Sequence, residues 1–144
     1  MSLPYENAVA GDRAIAEMQK TLAAFGCQSF GTMTDAERQV MIVAFKWRDR
    51  QVHLEASWKG YAHALLKGKT WRRDADRRNA EARALLQAKT SVCSVLRDWV
   101  KGQTTAVECG VLSFEAAFMP HMLLPTGQRL IDAVAAHKLL PGPS

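Results

Sequence analysis

The feature that most constrains the fold is a long stretch, residues 74–109, with the periodicity of a single α-helix. Its apolar side chains recur at alternating steps of three and four residues, at Leu85, Ala88, Val92, Leu96, Trp99 and Ala106. Gly102 marks a weak or close-packing point inside the stretch, and Gly110 lies where a helix commonly ends. The sequence therefore predicts one long helix, against which other elements must pack.

The region before this helix has the two-residue period of β-strands. Three runs, residues 27–34, 39–47 and 51–57, are joined by short polar connections that suit antiparallel hairpins. Met41, Val43 and Phe45 share one face of the second run, and in the third run Val52, Leu54 and Ala56 alternate with polar residues. This alternation predicts a sheet with one buried face and one solvated face.

Helical patterns lie on both sides of the strands. Residues 6–25 predict an amphipathic first helix, capped by Glu6 or Asn7 and ended at Gly26. Residues 58–66 predict a short second helix. The expected order is helix, three-stranded antiparallel sheet, helix (α-β-β-β-α), then a long helix and two short C-terminal helices. The predicted fold class is α+β.

The two short C-terminal helices are predicted from their cap residues. Ser113 is placed to cap a helix over residues 114–119 that Pro120 limits, and Thr126 to cap a last helix over residues 127–139. Apolar residues are more numerous here than two short helices need, namely Val111, Leu112, Phe114, Phe118, Met119, Met122, Leu123 and Leu124. We expect most of them in the core, and any that remain outside it to form a homodimer or partner surface.

Length and composition indicate a single globular domain. Of the 144 residues, 48% are hydrophobic and 23% are charged, a balance typical of a chain that buries its own core. We treat residues 1–144 as one domain with a soft boundary at residues 68–73. That boundary separates the α-β-β-β-α part from the helical C-terminal part.

The compartment expected from the sequence is the cytoplasm. The N-terminus has neither a basic start nor an apolar stretch, so no secretory signal is expected, and no apolar run is long enough to span a bilayer. Cys27, Cys93 and Cys109 are an odd number and lack the spacing of a disulfide framework or zinc site.

The positive charge is concentrated in residues 59–83. Eight Lys and Arg stand against three Asp and Glu there, a net of +5 that equals the net charge of the whole chain. The candidate site consists of Lys59, Lys67, Lys69, Trp71, Arg72, Arg73, Arg77 and Arg78. Guanidinium groups bind phosphate oxygens in pairs, an exposed Trp can stack on an unpaired base, and a helix N-terminus offers N–H donors. The pattern predicts a surface for nucleic acid (DNA or RNA) or for an acidic surface of a host protein complex.

The same segment has a second interpretation in which it binds nothing. Asp74 and Asp76 are placed to cap the long helix, and Asp74 is spaced to pair with both Arg77 and Arg78. The segment would then be a solvated helix start with Trp71 packed inward. The concentrated charge of +5 favours an anionic partner over this alternative.

The tripeptide Gly68-Lys69-Thr70 is not the end of a phosphate-binding loop. Such a loop has glycine five residues before its Gly-Lys pair, where this chain has His63. The loop also follows a strand, whereas a helical pattern precedes the tripeptide here. Nucleotide hydrolysis is therefore not expected.

Catalytic candidates are few. His53 and Glu55 share one face of the third strand and could form a general acid–base pair, but a half-solvated strand carries such residues in any case. His121 and His137 have no partner at metal-ligand spacing, and the cysteines are interpreted as buried structural thiols. We predict a protein that is not an enzyme, with no cofactor or metal.

Two stretches, AFGCQSFGTMTD and GQTTAVECGVLSFEAAFMPHMLLPTGQRLID, resemble a family of short, largely uncharacterised proteins encoded by phages and prophages. The likeness consists of a helix that runs into an FG-rich strand, and of a long helix followed by an SFE-type cap and an L-P-x-G turn. It covers most of the chain and implies a bacterial host cytoplasm and a small accessory task. The α-β-β-β-α order is also similar to that of double-stranded RNA-binding domains, in which Lys59 falls at a phosphate-contacting position.

Two functions are consistent with these observations. The first is a phage-type accessory protein that binds nucleic acid through the basic surface of residues 59–83. The alternative is a counter-defence protein, anti-CRISPR-like in role, that inhibits a host nuclease or nucleic-acid-processing complex by protein–protein interaction. In that case the basic surface would meet an acidic groove, or the apolar C-terminal surface would hold the partner.

Overall fold

A computed structural model describes residues 2–142 of the chain. Its elements are α1 (Gly11–Phe25), β1 (Ser29–Asp35), β2 (Val40–Trp47), β3 (Arg50–Ser57), α2 (Lys59–Leu66), α3 (Asp74–Glu108), α4 (Phe114–Phe118), a 3-10 turn (Met119–His121) and α5 (Leu130–Ala136). The α+β class is confirmed, as is the order of a helix, a three-stranded antiparallel sheet, a long helix and short C-terminal helices.

The sheet is a meander in the order β1-β2-β3, with both neighbouring pairs antiparallel. A two-residue turn, Arg48-Asp49, joins β2 to β3, and both residues have positive φ, 46° and 66°. That conformation gives a turn whose twist matches the strands it connects. Trp47 and Arg50 therefore face each other across the end of the hairpin. Each strand begins and ends within two residues of its predicted bounds.

The two faces of the sheet differ as the alternation predicted. One face, called the inner face below, carries the buried side chains of Met41, Val43, Phe45, Val52 and Leu54. The other, called the outer face, carries partly exposed residues such as Ile42, Ala44, His53 and Glu55. The buried side chains of the inner face belong to one cluster with Met18 and Leu22 of α1 and with Ala88 and Val92 of α3.

Aromatic side chains of the C-terminal region complete this core. Phe118 is fully buried, and its ring meets those of Phe45 and Trp99 edge-on at centroid distances of 5.6 and 5.7 Å. Phe114 stacks on Trp47 at 4.2 Å, a geometry favoured for aromatic pairs. The predicted apolar C-terminal run thus contributes its phenylalanines to the core, whereas Val111, Leu112 and Met119 stay exposed.

The first helix begins later than the sequence pattern predicted. Neither Glu6 nor Asn7 caps it, because α1 starts at Gly11 after Ala10 in a left-handed conformation. The preceding residues are held against α3 by long-range hydrogen bonds: the Ser91 hydroxyl donates to the Tyr5 carbonyl at 2.8 Å, and the Gln87 amide donates to the Ala8 carbonyl at 2.9 Å. Because these carbonyl oxygens accept hydrogen bonds from side chains of α3, they do not take part in the backbone hydrogen bonds of a longer α1. The predicted end at Gly26, with φ of 108°, is confirmed.

The long helix is continuous, as predicted. It passes through Gly102 without a break and ends at Glu108, just before Gly110 with its φ of 72°. A Cβ built at Gly102 would meet nothing within 4 Å, so this glycine is not a close-packing site.

The last helix is shorter than predicted, and Thr126 does not cap it. A small hairpin precedes α5: the Leu124 N–H donates to the Gln128 carbonyl, and the Leu130 N–H to the Met122 carbonyl. The first arm of this hairpin also lies along β3, because the Leu123 N–H donates to the Gln51 carbonyl at 2.8 Å. Residues 127–129 are therefore extended or turning, and α5 begins at Leu130 after Arg129. Among residues 2–142, we find no helix with the length and apolarity required to cross a bilayer.

The aromatic contacts of Phe118 predict a large loss of stability on truncation. Phe118→Ala should lower the free energy of unfolding by about 3–5 kcal/mol, because it removes a fully buried ring and leaves a cavity between two others. Met119→Ala, at an exposed neighbouring position, is the matched control and should change it by less than about 1 kcal/mol. Equilibrium urea unfolding followed by circular dichroism measures both. Similar losses in the two variants would contradict this assignment of the core.

Candidate nucleic-acid interface

The candidate basic residues lie on three successive pieces of chain. Lys59 opens α2, Lys67 caps its C-terminal end, and Lys69 follows in the connection to α3. Arg72 ends that connection, and Arg73 is the residue immediately before α3. All five side chains are exposed. The sequence order thus brings a helix end, a loop and a helix start together at one joint.

The acidic residues of the segment form ion pairs with two of its arginines. Arg73 pairs with Asp76 at 3.1 Å, and Arg77 pairs with Asp74 at 3.5 Å and with Glu81 at 3.8 Å. Within residues 2–142, no acidic side chain comes within ion-pair distance of the remaining cations of the segment, which are Lys59, Lys67, Lys69, Arg72, Arg78 and Arg83.

Two details of the predicted charge pairing are corrected. Asp74 pairs with Arg77 and not with Arg78, because the three-residue step is the one that brings the side chains together here. Neither Asp74 nor Asp76 caps α3, since Arg73 occupies the cap position and no side chain accepts a hydrogen bond there. The two aspartates lie instead in the first turn, where their charge opposes the positive end of the helix dipole.

Trp71 lies between the basic residues in the α2–α3 connection and is half-buried. It is not among the apolar side chains that pack against the core cluster, in contrast to Tyr61, Leu65 and Leu66 of the neighbouring helix. Its indole is therefore neither fully solvated nor part of the core.

One cation that belongs near this surface was missed by sequence reasoning. Lys89 of α3 places its Nζ 5.7 Å from the centre of the Trp58 ring, within the range of a cation–π contact. Trp58 directly precedes Lys59, so the two lysines flank the same end of α2. The contact depends on how α2 packs along α3, and nothing in the local sequence signals it.

A helix precedes the Gly68-Lys69-Thr70 tripeptide. Residues Lys59–Leu66 are α2, and Gly68, with φ of 81°, turns the chain after it. No strand leads into the tripeptide, so its backbone cannot form the strand–loop–helix cradle of a nucleotide hydrolase.

The predicted pair His53 and Glu55 does share the outer face of β3, but Glu55 is engaged elsewhere. Its carboxylate forms ion pairs with Arg38, from the β1–β2 turn, and with Arg129 at 3.9 Å. The two guanidinium groups occupy the carboxylate oxygens that a general base would use.

The most perturbed histidine is His121. Its ring meets Trp99 edge-on at 5.6 Å, and its Nδ1 is buried with no hydrogen-bond partner among the described residues. Burial lowers the pKa of His121, and the nearby charge of Arg129 lowers it further. Both causes favour the neutral imidazole.

The thiols are only partly as predicted. Burial raises the pKa of Cys27 to about 11 and also raises that of Cys93, so both are held as neutral thiols. Cys109 follows α3 and is exposed, so its interpretation as a buried structural thiol was wrong. Among residues 2–142 we find no grouping of three or more His, Cys, Asp or Glu side chains that could hold a metal ion.

The comparisons of this chain with protein families, with curated proteins and with solved structures gave no match.

The lowered pKa of His121 predicts a pH-dependent stability. An unfolded His has a pKa of about 6.5, so below that pH the unfolded chain binds a proton that the folded chain resists. The contribution of neutral His121 to the free energy of unfolding is fully present above the pKa of the unfolded chain, and it is lost as the pH falls through the pKa of the folded chain. Removing this group should therefore flatten the decline in unfolding free energy between about pH 7 and pH 5.

This comparison needs His121→Leu and a matched control, His137→Leu, at an exposed position at the end of α5. Urea unfolding over the same pH range should give a shallower pH dependence for the first variant and the wild-type dependence for the second. Equal slopes for wild type and His121→Leu would refute the role of this group.

Proposed function

We propose that this protein is a non-enzymatic accessory protein that binds nucleic acid through the basic surface of residues 59–83. The observation that carries the proposal is the distribution of the ion pairs in that segment. The segment's three acidic residues all pair with Arg73 or Arg77. Among residues 2–142, exposed cations without an acidic partner then remain in the α2–α3 connection and on both sides of it, at Lys67, Lys69, Arg72 and Arg78.

The two paired arginines also support binding of phosphate. All the ion pairs of this segment join exposed side chains, and exposed pairs contribute only about 0–1 kcal/mol to stability. A phosphate can therefore replace a carboxylate on Arg73 or Arg77 at small cost, and a guanidinium group binds it with two parallel hydrogen bonds. In the free protein these acidic residues reduce the repulsion among the neighbouring cations, and they leave the basic surface accessible to a phosphate.

The surface has a second end near the start of α2. Lys59 is eight residues before Lys67, which corresponds to about 12 Å along a helix. Lys89 of α3 contacts Trp58, the residue just before Lys59. Cations at both ends of α2 suit a polyanion better than a single phosphate group. The setting that we propose is the cytoplasm of a bacterial host cell, with the phage-type accessory role that the resemblance implies.

The proposal predicts a binding affinity that depends on salt and on particular cations. Fluorescence anisotropy with labelled single- and double-stranded DNA and RNA should show binding at low salt. Arg72→Ala combined with Arg78→Ala should weaken it and reduce the slope of log affinity against log salt by about 1.4–1.8, since each phosphate contact contributes about 0.7–0.9.

The control is Arg13→Ala combined with Lys20→Ala, which removes the same charge from exposed positions of α1. It should leave the salt slope within error of the wild type. Equal effects of the two double variants would mean that only net charge matters. Absence of binding to all four nucleic acids at low salt would refute the proposal and favour the counter-defence alternative, in which the partner is a protein.

The half-buried position of Trp71 predicts a preference for unpaired bases. Trp71→Ala should weaken binding of single-stranded nucleic acid by about 1–3 kcal/mol, the usual contribution of base stacking on an aromatic ring, and affect duplex binding less. Trp71→Phe keeps an aromatic face and should recover most of the loss. Equal losses on single-stranded and duplex ligands would argue against stacking.

A further inference from the structure

The two edges of the sheet are treated differently in this fold. The edge at β3 is partly covered, because Met122 and Leu123 lie along it as a short antiparallel segment. The edge at β1 has no such cover among residues 2–142, since β1 pairs with β2 alone. Five of its seven residues are exposed.

The β2–β3 turn determines which groups of β1 are free. Trp47 and Arg50 flank a two-residue turn, so they exchange backbone hydrogen bonds, and every second pair along that hairpin does the same. The intervening residues of β2, among them Ala44 and Ile42, therefore direct their N–H and C=O groups toward β1. Their partners there are Gly31 and Met33. It follows that Phe30, Thr32 and Thr34 direct their backbone groups outward from the sheet.

Native sheets commonly protect such an edge with lysine, proline or a bulge. Residues 29–34 of β1, SFGTMT, contain no charged residue and no proline. Exposed apolar side chains flank the edge instead: Met33 is 60% exposed on the outer face. On the other side Leu86 of α3, 71% exposed, lines a concavity of about 530 Å³ with Thr32 and Thr34, and the charged side chains of Asp12 and Lys89 also line it.

We infer that β1 is an interface between two copies of this chain, which pair antiparallel about a two-fold axis at Thr32 to form a continuous six-stranded sheet. In this register Thr32 faces Thr32 of the second copy, and Phe30 and Thr34 face each other twice. The three outward-directed residues of each strand then form six backbone hydrogen bonds.

The side chains of β1 are complementary to themselves in this register. Met33 of each copy lies opposite Gly31 of the other, on the outer face. A Cβ built at Gly31 would meet nothing within 4 Å, so there is space above it for the methionine. Two threonines face each other at the centre of the inner face, a pair that is favourable across strands. A strand of unrelated sequence would not supply this pairing of a large side chain, Met33, with a glycine, Gly31, at two places in the interface.

The charges at the ends of the strand agree with the same partner. Asp35 of one copy falls opposite Ser29 of the other, and Ser29 is paired in its own sheet with Lys46. Strands are about 4.8 Å apart, so the Asp35 carboxylate lies within reach of the flexible Lys46 side chain. The antiparallel arrangement places this attraction at both ends. Because the interface is short, we expect a dissociation constant on the order of 10 µM.

Met33→Lys tests the interface in the intact chain. It places two ammonium groups on diagonal positions about 7–8 Å apart across the interface. Sedimentation equilibrium should show that dimerisation weakens at least about tenfold. Leu140→Lys makes the same change at an exposed apolar position in the C-terminal region, beyond α5, and should leave dimerisation unchanged.

A disulfide test determines the register. With Cys27 and Cys109 replaced by serine, Thr32→Cys should form a disulfide-linked dimer under mild oxidation, because the two Cα atoms would be about 5.5 Å apart. Thr34→Cys is the matched control, since its two copies would be too far apart to bridge. Non-reducing electrophoresis distinguishes the two.

The outcomes are decisive in both directions. A concentration-dependent dimer that Met33→Lys weakens and Thr32→Cys captures supports the proposal. A protein that stays monomeric well above the expected dissociation constant overturns it. So does a dimer that is weakened by Leu140→Lys and not by Met33→Lys, because that dimer would use the apolar region around Leu140.

Discussion

When the sheet packs on the helices, the apolar side chains of its inner face leave water, and the other features of the fold follow from that burial. These side chains include Val43, Phe45, Val52 and Leu54. Three strands are too few to enclose a core by themselves. One face must be covered by α1, α3 and the C-terminal phenylalanines, and the opposite face then remains open to solvent. Phe118 is central to this arrangement because its ring contacts both β2 and α3. The chain therefore has a sheet that is covered on one face only.

The charge of the chain is arranged around the start of α3, at some distance from this core. The acidic residues there are placed at helical spacing and so reach only the arginines one turn away. In the described part of the chain, cations in the loop before the helix, such as Lys69 and Arg72, have no acidic side chain within ion-pair distance. The charges on the first turns of α3 are therefore largely paired with one another, whereas the loop before the helix keeps a net positive charge. This asymmetry supports the proposal of an anionic partner more strongly than the net charge does.

The sheet also shows how one chain can protect one strand edge and leave another open. Met122 and Leu123 lie along β3 because the C-terminal segment must return over the core to bury Phe114 and Phe118. No segment among residues 2–142 performs this role at β1, whose backbone groups at Phe30, Thr32 and Thr34 point away from the sheet. Self-pairing would satisfy those groups and cover Met33 in a single step.

The sequence by itself determined the elements whose signals are local. The alternation in β2 and β3, the long apolar stripe of α3 and the cap at Ser113, whose hydroxyl accepts from the Ala116 N–H, all depend on neighbours within a few residues. Tertiary structure decided the rest, because the competing partners lie far apart in the chain. Ser91 and Gln87 bind the backbone before α1 and delay its start. The arm at Leu123 pairs with β3 and displaces the start of α5. The positions of the basic residues were thus evident from the sequence, but which of them keep an acidic partner was decided by side-chain geometry in the folded chain.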